Sequence, residues 1–144
     1  MKILFVCSGN TGRSPMAQFV MQHLIKQAGL AEKISVSSAA SKPTDGGALH
    51  QGIAAKLGME KIPFTRHFAR TITPTDYAEN DIIVCMDAGN VEQVKAICGG
   101  DPDGKISMLL DKDIPWDKNG FAKTYNDILR GCKALLEKLR DCLN

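Results

Sequence analysis

Residues 3–15 read Ile3-Leu4-Phe5-Val6-Cys7-Ser8-Gly9-Asn10-Thr11-Gly12-Arg13-Ser14-Pro15. An apolar run of strand length passes through a glycine-bearing turn into a helical segment, and Pro15 suits a first helical turn. The turn separates a cysteine from an arginine by five residues, a spacing that suits a phosphate dianion. Gly9 and Gly12 are expected to take positive φ, so that successive N–H groups point inward as a nest, with the helix start adding its positive dipole end. Arg13 would close the ring with a planar fork for bidentate contact to phosphate. Cys7 lies at the base of that cradle, where amides and a guanidinium favour the thiolate, the nucleophilic form. Ser14 is placed to hydrogen-bond the sulfur and to stabilise it as a leaving thiolate.

The rest of the chain predicts the frame around this turn. Apolar runs at 2–7, 33–38, 81–86 and 105–110 alternate with helical patterns, which predicts a parallel sheet with helices on both faces. The first helix should begin at Pro15, carry Met16, Phe19, Val20 and Leu24 on one face and end near Gly29. Leu49, Ile53 and Leu57 predict a second helix stopped at Gly58, and Thr73-Pro74-Thr75-Asp76 predicts a capped start for a short third one. Val91, Val94 and Cys98 mark a fourth. Phe121, Tyr125, Ile128, Leu129, Cys132, Leu136 and Leu139 recur at three- and four-residue steps, a stripe for core packing that makes Cys132 a buried hydrophobe. In such doubly wound sheets the ligand lies beyond the carboxyl ends of the strands, where Cys7, Asp87 and the loop at 111–119 should converge.

Bulk properties narrow the function classes. The 144 residues suit one domain spanning 1–144, and a net charge of +2 gives no reason to expect a nucleic-acid or membrane surface. No apolar segment reaches the ~18 residues of a membrane span, and no signal-peptide pattern is present, so a cytoplasmic chain is expected. Its 5 cysteines have neither CxxC nor Cys/His metal spacing, so reduced thiols, no metal and no cofactor are expected.

With these residues in view, Val-Cys-x-Gly-Asn-x-x-Arg-Ser-Pro resembles the low-molecular-weight protein tyrosine phosphatase family. The resemblance extends through Ser37-Ser38-Ala39, Arg66-His67-x-Ala69-Arg70 and Asp81-Ile82-Ile83-Val84-Cys85-Met86-Asp87 with Asn90. It implies an α/β fold, a single three-layer domain whose four-stranded parallel sheet has flavodoxin-like order, and a metal-free cysteinyl-phosphate mechanism. It also implies a phosphorylated protein as substrate and a monomeric enzyme. Cys7, Arg13 and Ser14 would be catalytic, the stretch Ser8, Gly9, Asn10, Thr11 and Gly12 would bind the phosphate, and Ser38 and His67 would brace the loop with Asn10.

Three departures bear on mechanism. The family carries Asp-Pro and then aromatics before the last helix, whereas this chain reads Asp111-Lys112-Asp113-Ile114-Pro115-Trp116-Asp117. Aligning Pro115-Trp116 and Phe121 puts Ile114 where the acid belongs. Asp113 is the favoured general acid, Asp117 the alternative, and Trp116 a wall for a planar substrate. Gly12 replaces a cysteine that many relatives use to trap the nucleophile as a disulfide. Thr11 stands where phosphotyrosine-selective members often carry a bulky aliphatic residue and where relatives similar to protein arginine phosphatases carry threonine. The leading expectation is a phosphotyrosine phosphatase. Its alternatives are a protein arginine phosphatase, a thiol-linked arsenate reductase, which would need resolving cysteines near Cys7, and a phosphate-binding module of low turnover.

Overall fold

A computed structural model describes residues 1–117 and 119–143; Lys118, in the predicted 111–119 loop, and Asn144 lie outside the described residues. The chain runs β1 (Lys2–Cys7), α1 (Arg13–Gln27), β2 (Ser35–Ala40), α2 (Gln51–Met59), α3 (Pro74–Glu79), β3 (Ile82–Cys85), α4 (Ala88–Cys98), β4 (Ile106–Met108) and α5 (Phe121–Leu143). The four strands form one sheet in the order β2-β1-β3-β4, and every pairing is parallel. This is the flavodoxin-like arrangement that the family resemblance implied. β1 is central and buried from Ile3 to Cys7, which explains why it reads as a continuous apolar run.

Alternation along the strands divides the core in two. Ile3, Phe5, Cys7, Val84 and Met86 face a layer that includes Met16 and Val20 of α1 and Ile128 and Cys132 of α5. Leu4, Val6, Ile83 and Cys85 face Tyr77 of α3 and Val94 of α4. Each large apolar side chain fully buried this way contributes about 1.5–3 kcal/mol relative to exposure. The register pairs Val6 with Cys85, so Cys85 shares Val6's face and Cys7 projects to the other. β1 feeds β2 on one side and β3 lies on the other, so the ends of β1 and β3 flank the switch point where a crevice opens.

Two helix boundaries differ from the sequence reading. α1 starts at Arg13 rather than Pro15, because the Met16 N–H reaches the Gly12 carbonyl at 3.0 Å. Pro15 then lies in the first turn, where its missing donor costs nothing, and Arg13 and Ser14 become helical residues pointing back at β1. α2 continues through Gly58 to Met59. Lys61, with φ of 58°, turns the chain there instead. The α2 start is capped by His50, whose Nδ1 accepts the Gly52 N–H at 3.0 Å. Gly52 itself lies under the Phe121 ring, which an added Cβ would penetrate. No described helix is long and apolar enough to cross a membrane.

Candidate active site

Between the end of β1 and the start of α1 the chain closes on itself around a hollow lined by Cys7 through Arg13 and by Trp116. At its floor the Cys7 Sγ lies 3.0 Å from the Ser14 Oγ and receives the Asn10 N–H at 3.3 Å. Asn10 Nδ2 donates to Ser14 Oγ at 2.9 Å, which occupies that oxygen's acceptor side and leaves the Ser14 hydroxyl proton for sulfur. Two hydrogen-bond donors thus converge on the Cys7 sulfur.

Asn10 is the keystone of the loop. It is fully buried and takes the left-handed φ of 55°. Among the described residues, Asn10 rather than Gly9 or Gly12 carries the positive φ of the turn, which corrects the sequence reading. Asparagine tolerates that region because its side chain bonds locally. Here Nδ2 also donates to Ser38 Oγ at 3.0 Å, and Ser38 in turn donates to Gln18 Oε1 at 2.6 Å. Its Oδ1 accepts the Arg70 N–H at 3.1 Å, and its carbonyl accepts His67 Nε2–H at 2.7 Å. Arg70 is fixed by two bonds to Asp76, at 2.9 and 3.0 Å. Burial pushes the Asp76 carboxyl up, but the bonds from Arg70 and Thr73 outweigh it and hold the group below its ordinary value of 3.8.

Gly12 is glycine for space. A Cβ there would run into the six-membered ring of Trp116, which lies against the loop and packs edge-on to His50 with centroids 5.2 Å apart and against Phe121 at 5.2 Å. A cysteine at this position would displace the tryptophan. Gly12→Ala should therefore cost about 1–3 kcal/mol through overpacking, or shift Trp116 outward. Thermal unfolding together with the emission of this sole tryptophan checks it; an unchanged melting temperature and spectrum would refute the contact.

Arg13 is nearly buried, and its Nη1 donates to Asp87 Oδ2 at 2.7 Å and to the Ile114 carbonyl at 2.8 Å. Among the described residues both anchors fall on Nη1, which leaves Nη2 and Nε to an oxyanion. Asp87 follows β3 and caps α4, its Oδ1 accepting the Asn90 N–H at 2.8 Å. Asn90 Nδ2 reaches Ser8 Oγ and Ser41 Oγ, both at 3.2 Å, which ties the second residue of the cradle to α4. The sequence reading placed Asp87 near the site without giving it a role and quoted Asn90 only within the family resemblance. Ser41 and Gln18 carried no local signal, because each acts through a bond across the fold, and Arg70 entered only as part of the resemblance.

The acidic loop is arranged differently from the cradle. Ile114 is fully buried, with its N–H on the Met86 carbonyl at 2.9 Å. Asp113 is exposed, and its Oδ1 accepts the Ala88 N–H at 2.9 Å, at the start of α4. Asp117 Oδ1 accepts the Asn119 N–H at 2.9 Å. Neither carboxylate lines the hollow.

The other cysteines stand apart from Cys7. Burial, then the negative charge of Asp87 and the neighbouring Cys7, pushes the Cys85 thiol up to about 12. Burial raises Cys132 as well, and its Sγ faces the Ala17 carbonyl at 3.8 Å. All five are free.

The family profile described as low molecular weight phosphotyrosine protein phosphatase matches residues 2–143. The chain belongs to that family. It is 32% identical to the low molecular weight protein-tyrosine-phosphatase YfkJ of Bacillus subtilis, over 96% of this chain and 95% of that one. The crystal structure of YfkJ superposes with a TM-score of 0.93, covering 98% of this chain and 95% of the other. The human low molecular weight phosphotyrosine protein phosphatase is 31% identical over 94% of each chain. The YwlE arginine phosphatase, at 21% identity and a TM-score of 0.88, shares the fold.

Proposed function

We propose that this protein is a cysteine-dependent phosphatase that hydrolyses phosphotyrosine in proteins through a cysteinyl-phosphate intermediate. The observation that carries the reading is the Cys7 sulfur, held by Ser14 and Asn10 at the floor of a hollow whose rim includes the anchored Arg13. Cys7 attacks phosphorus in line, the bond to the phenolic oxygen breaks, and Arg13 with the loop amides stabilises the equatorial oxygens. A carboxylic acid of the 111–117 loop protonates the leaving oxygen. Water then attacks phosphorus, the sulfur departs as the thiolate stabilised by Ser14, and inorganic phosphate leaves. No metal or cofactor enters these steps. Ser8, Gly9, Asn10, Thr11 and Gly12 bind the phosphoryl group, Trp116 walls the phenyl ring, and Ser38 and His67 hold Asn10. The reading carries with it a cytoplasmic, monomeric enzyme acting on phosphorylated proteins.

Acid quenching during turnover of para-nitrophenyl phosphate, followed by peptide mass analysis, should find the phosphoryl group on Cys7. A phosphorylated residue elsewhere, or none at full turnover, would overturn the mechanism. Arg13→Lys should lower kcat/KM about 10²-fold, the scale of one lost transition-state donor, since a point charge cannot both hold Asp87 and Ile114 and clasp an oxyanion. Near-normal steady-state rates would remove Arg13 from the site.

Phosphoarginine is the second reading, favoured by Thr11. Its Cγ2 methyl packs against Gly47, where an added Cβ would stand only 3.1 Å away. Thr11→Ile should shift the ratio of efficiencies toward phosphotyrosine over phosphoarginine by about tenfold, the scale of one methylene-sized change in a pocket. An unchanged ratio in paired peptide assays would exclude Thr11 from selectivity. Arsenate reduction is disfavoured because Cys85 faces away from Cys7 across the sheet.

A further inference from the structure

Beside the cradle lies a second, open groove that the phosphoryl chemistry does not use. Leu49 and Ala54 form one wall and Phe64, Arg66 and Phe68 the other. Phe64 is 41% and Phe68 55% exposed, an unusual outlay of aromatic surface for two residues so close together. The other flank of Phe64 opens on a hollow that includes His23 and Lys26 of α1. No aspartate or glutamate lines either depression. Among the described residues Arg66 joins no ion pair, whereas Lys56 and Arg70 are paired with Glu60 and Asp76.

The groove shares its walls with the phosphate loop. The His50 N–H donates to the Thr11 carbonyl at 2.9 Å, and the Ala69 N–H to the Gly47 carbonyl at 2.7 Å. His67, between Arg66 and Phe68, donates to the Asn10 carbonyl. A polypeptide whose phosphorylated side chain sits over Cys7 thus needs only to cross Thr11 to reach Leu49 and Phe68.

We infer that this groove docks the segment of the substrate protein flanking its phosphorylated residue, and that it selects segments combining an apolar side chain with carboxylates. The apolar side chain lies between Phe64 and Phe68, and the carboxylates meet Arg66 and the cationic flank. The inference rests on the phosphotyrosine reading above. It makes substrate choice a property of the surface formed by α2 and residues 63–68 as well as of the cradle.

The test uses two phosphotyrosine peptides of equal length, one flanked by leucine and glutamate and the other by serine and lysine, with para-nitrophenyl phosphate as a substrate lacking flanks. The wild-type chain should favour the first peptide by about tenfold in kcat/KM, the scale of one good contact. Phe68→Ser and Arg66→Glu should each remove most of that preference, Arg66→Glu should improve the lysine-flanked peptide, and para-nitrophenyl phosphate should be hydrolysed as before. Equal peptide efficiencies with normal para-nitrophenyl phosphate turnover would overturn the docking and leave the phosphatase standing. A parallel binding measurement on Cys7→Ser separates the two readings: flank-dependent affinity lost in Arg66→Glu, with no turnover of any substrate by the wild type, would keep the docking and remove the phosphatase. A single-stranded oligonucleotide that displaces the acidic peptide in a Phe68-dependent manner at lower concentration would overturn the inference in favour of nucleic acid.

Discussion

Cys7→Ser is expected to reduce turnover to background, a loss of about 10⁴-fold or more, while inorganic phosphate or vanadate still binds. The two effects separate because they have different owners. Chemistry needs the sulfur, the nucleophile that Ser14 and Asn10 hold at the floor of the cradle; a serine hydroxyl in the same place has no base beside it. Binding needs the loop amides and the guanidinium, and these are positioned by the bonds to Asp87 and the Ile114 carbonyl and by the network around Asn10, none of which passes through Cys7. Steady-state kinetics on para-nitrophenyl phosphate and phosphotyrosine peptides, with calorimetric titration of the oxyanion, read the two separately. Turnover within tenfold of wild type would remove the covalent mechanism, and loss of oxyanion affinity in step with turnover would show that the sulfur also organises the cradle.

The frame of this site was legible because it is local. β1 is an uninterrupted apolar run ending in Cys7, and the parallel sheet follows from strands alternating with helices. The spacing of Cys7 and Arg13 was equally readable, since both lie in one turn. The order of the sheet came from the resemblance. What the sequence concealed is what acts across the fold. Asn10 meets Ser38 and Arg70 over separations of 28 and 60 residues, and no periodicity encodes a side-chain bond of that kind. The glycines of the turn were misread for the same reason. Glycine suggests backbone freedom, but Gly12 answers to Trp116, a residue 104 positions away whose ring fills the space a Cβ would need. The helix start was misplaced by two residues because Pro15 signals a first turn without fixing its place in it.

The identity of the general acid follows from a comparison of leaving groups. Asp113→Asn should slow phosphotyrosine hydrolysis by about 10²–10³-fold, within the range of general acid catalysis, and Asp117→Asn should have a smaller effect. Asp113 adjoins Ile114, whose carbonyl holds Arg13, and its carboxylate is held at the start of α4 beside Asp87, on the arginine side of the cradle. Proton delivery from there requires Asp113 to exchange the Ala88 N–H for the leaving oxygen as substrate fills the site. Asp117 has its own claim, since it follows Trp116 on the cradle wall, but its carboxylate bonds within its own loop. Because para-nitrophenolate leaves readily as an anion while the tyrosine phenolate needs a proton, an acid variant should lose far more on phosphotyrosine than on para-nitrophenyl phosphate. A set of aryl phosphates graded in leaving-group pKa turns this into a slope, which should steepen in the variant lacking the acid. If the steep slope belongs to Asp117→Asn, the proton comes from the aromatic side of the cradle. If the wild type is already as steep as both variants, no carboxylate assists the departure, and the buried Ile114 in the family's acid position is the reason.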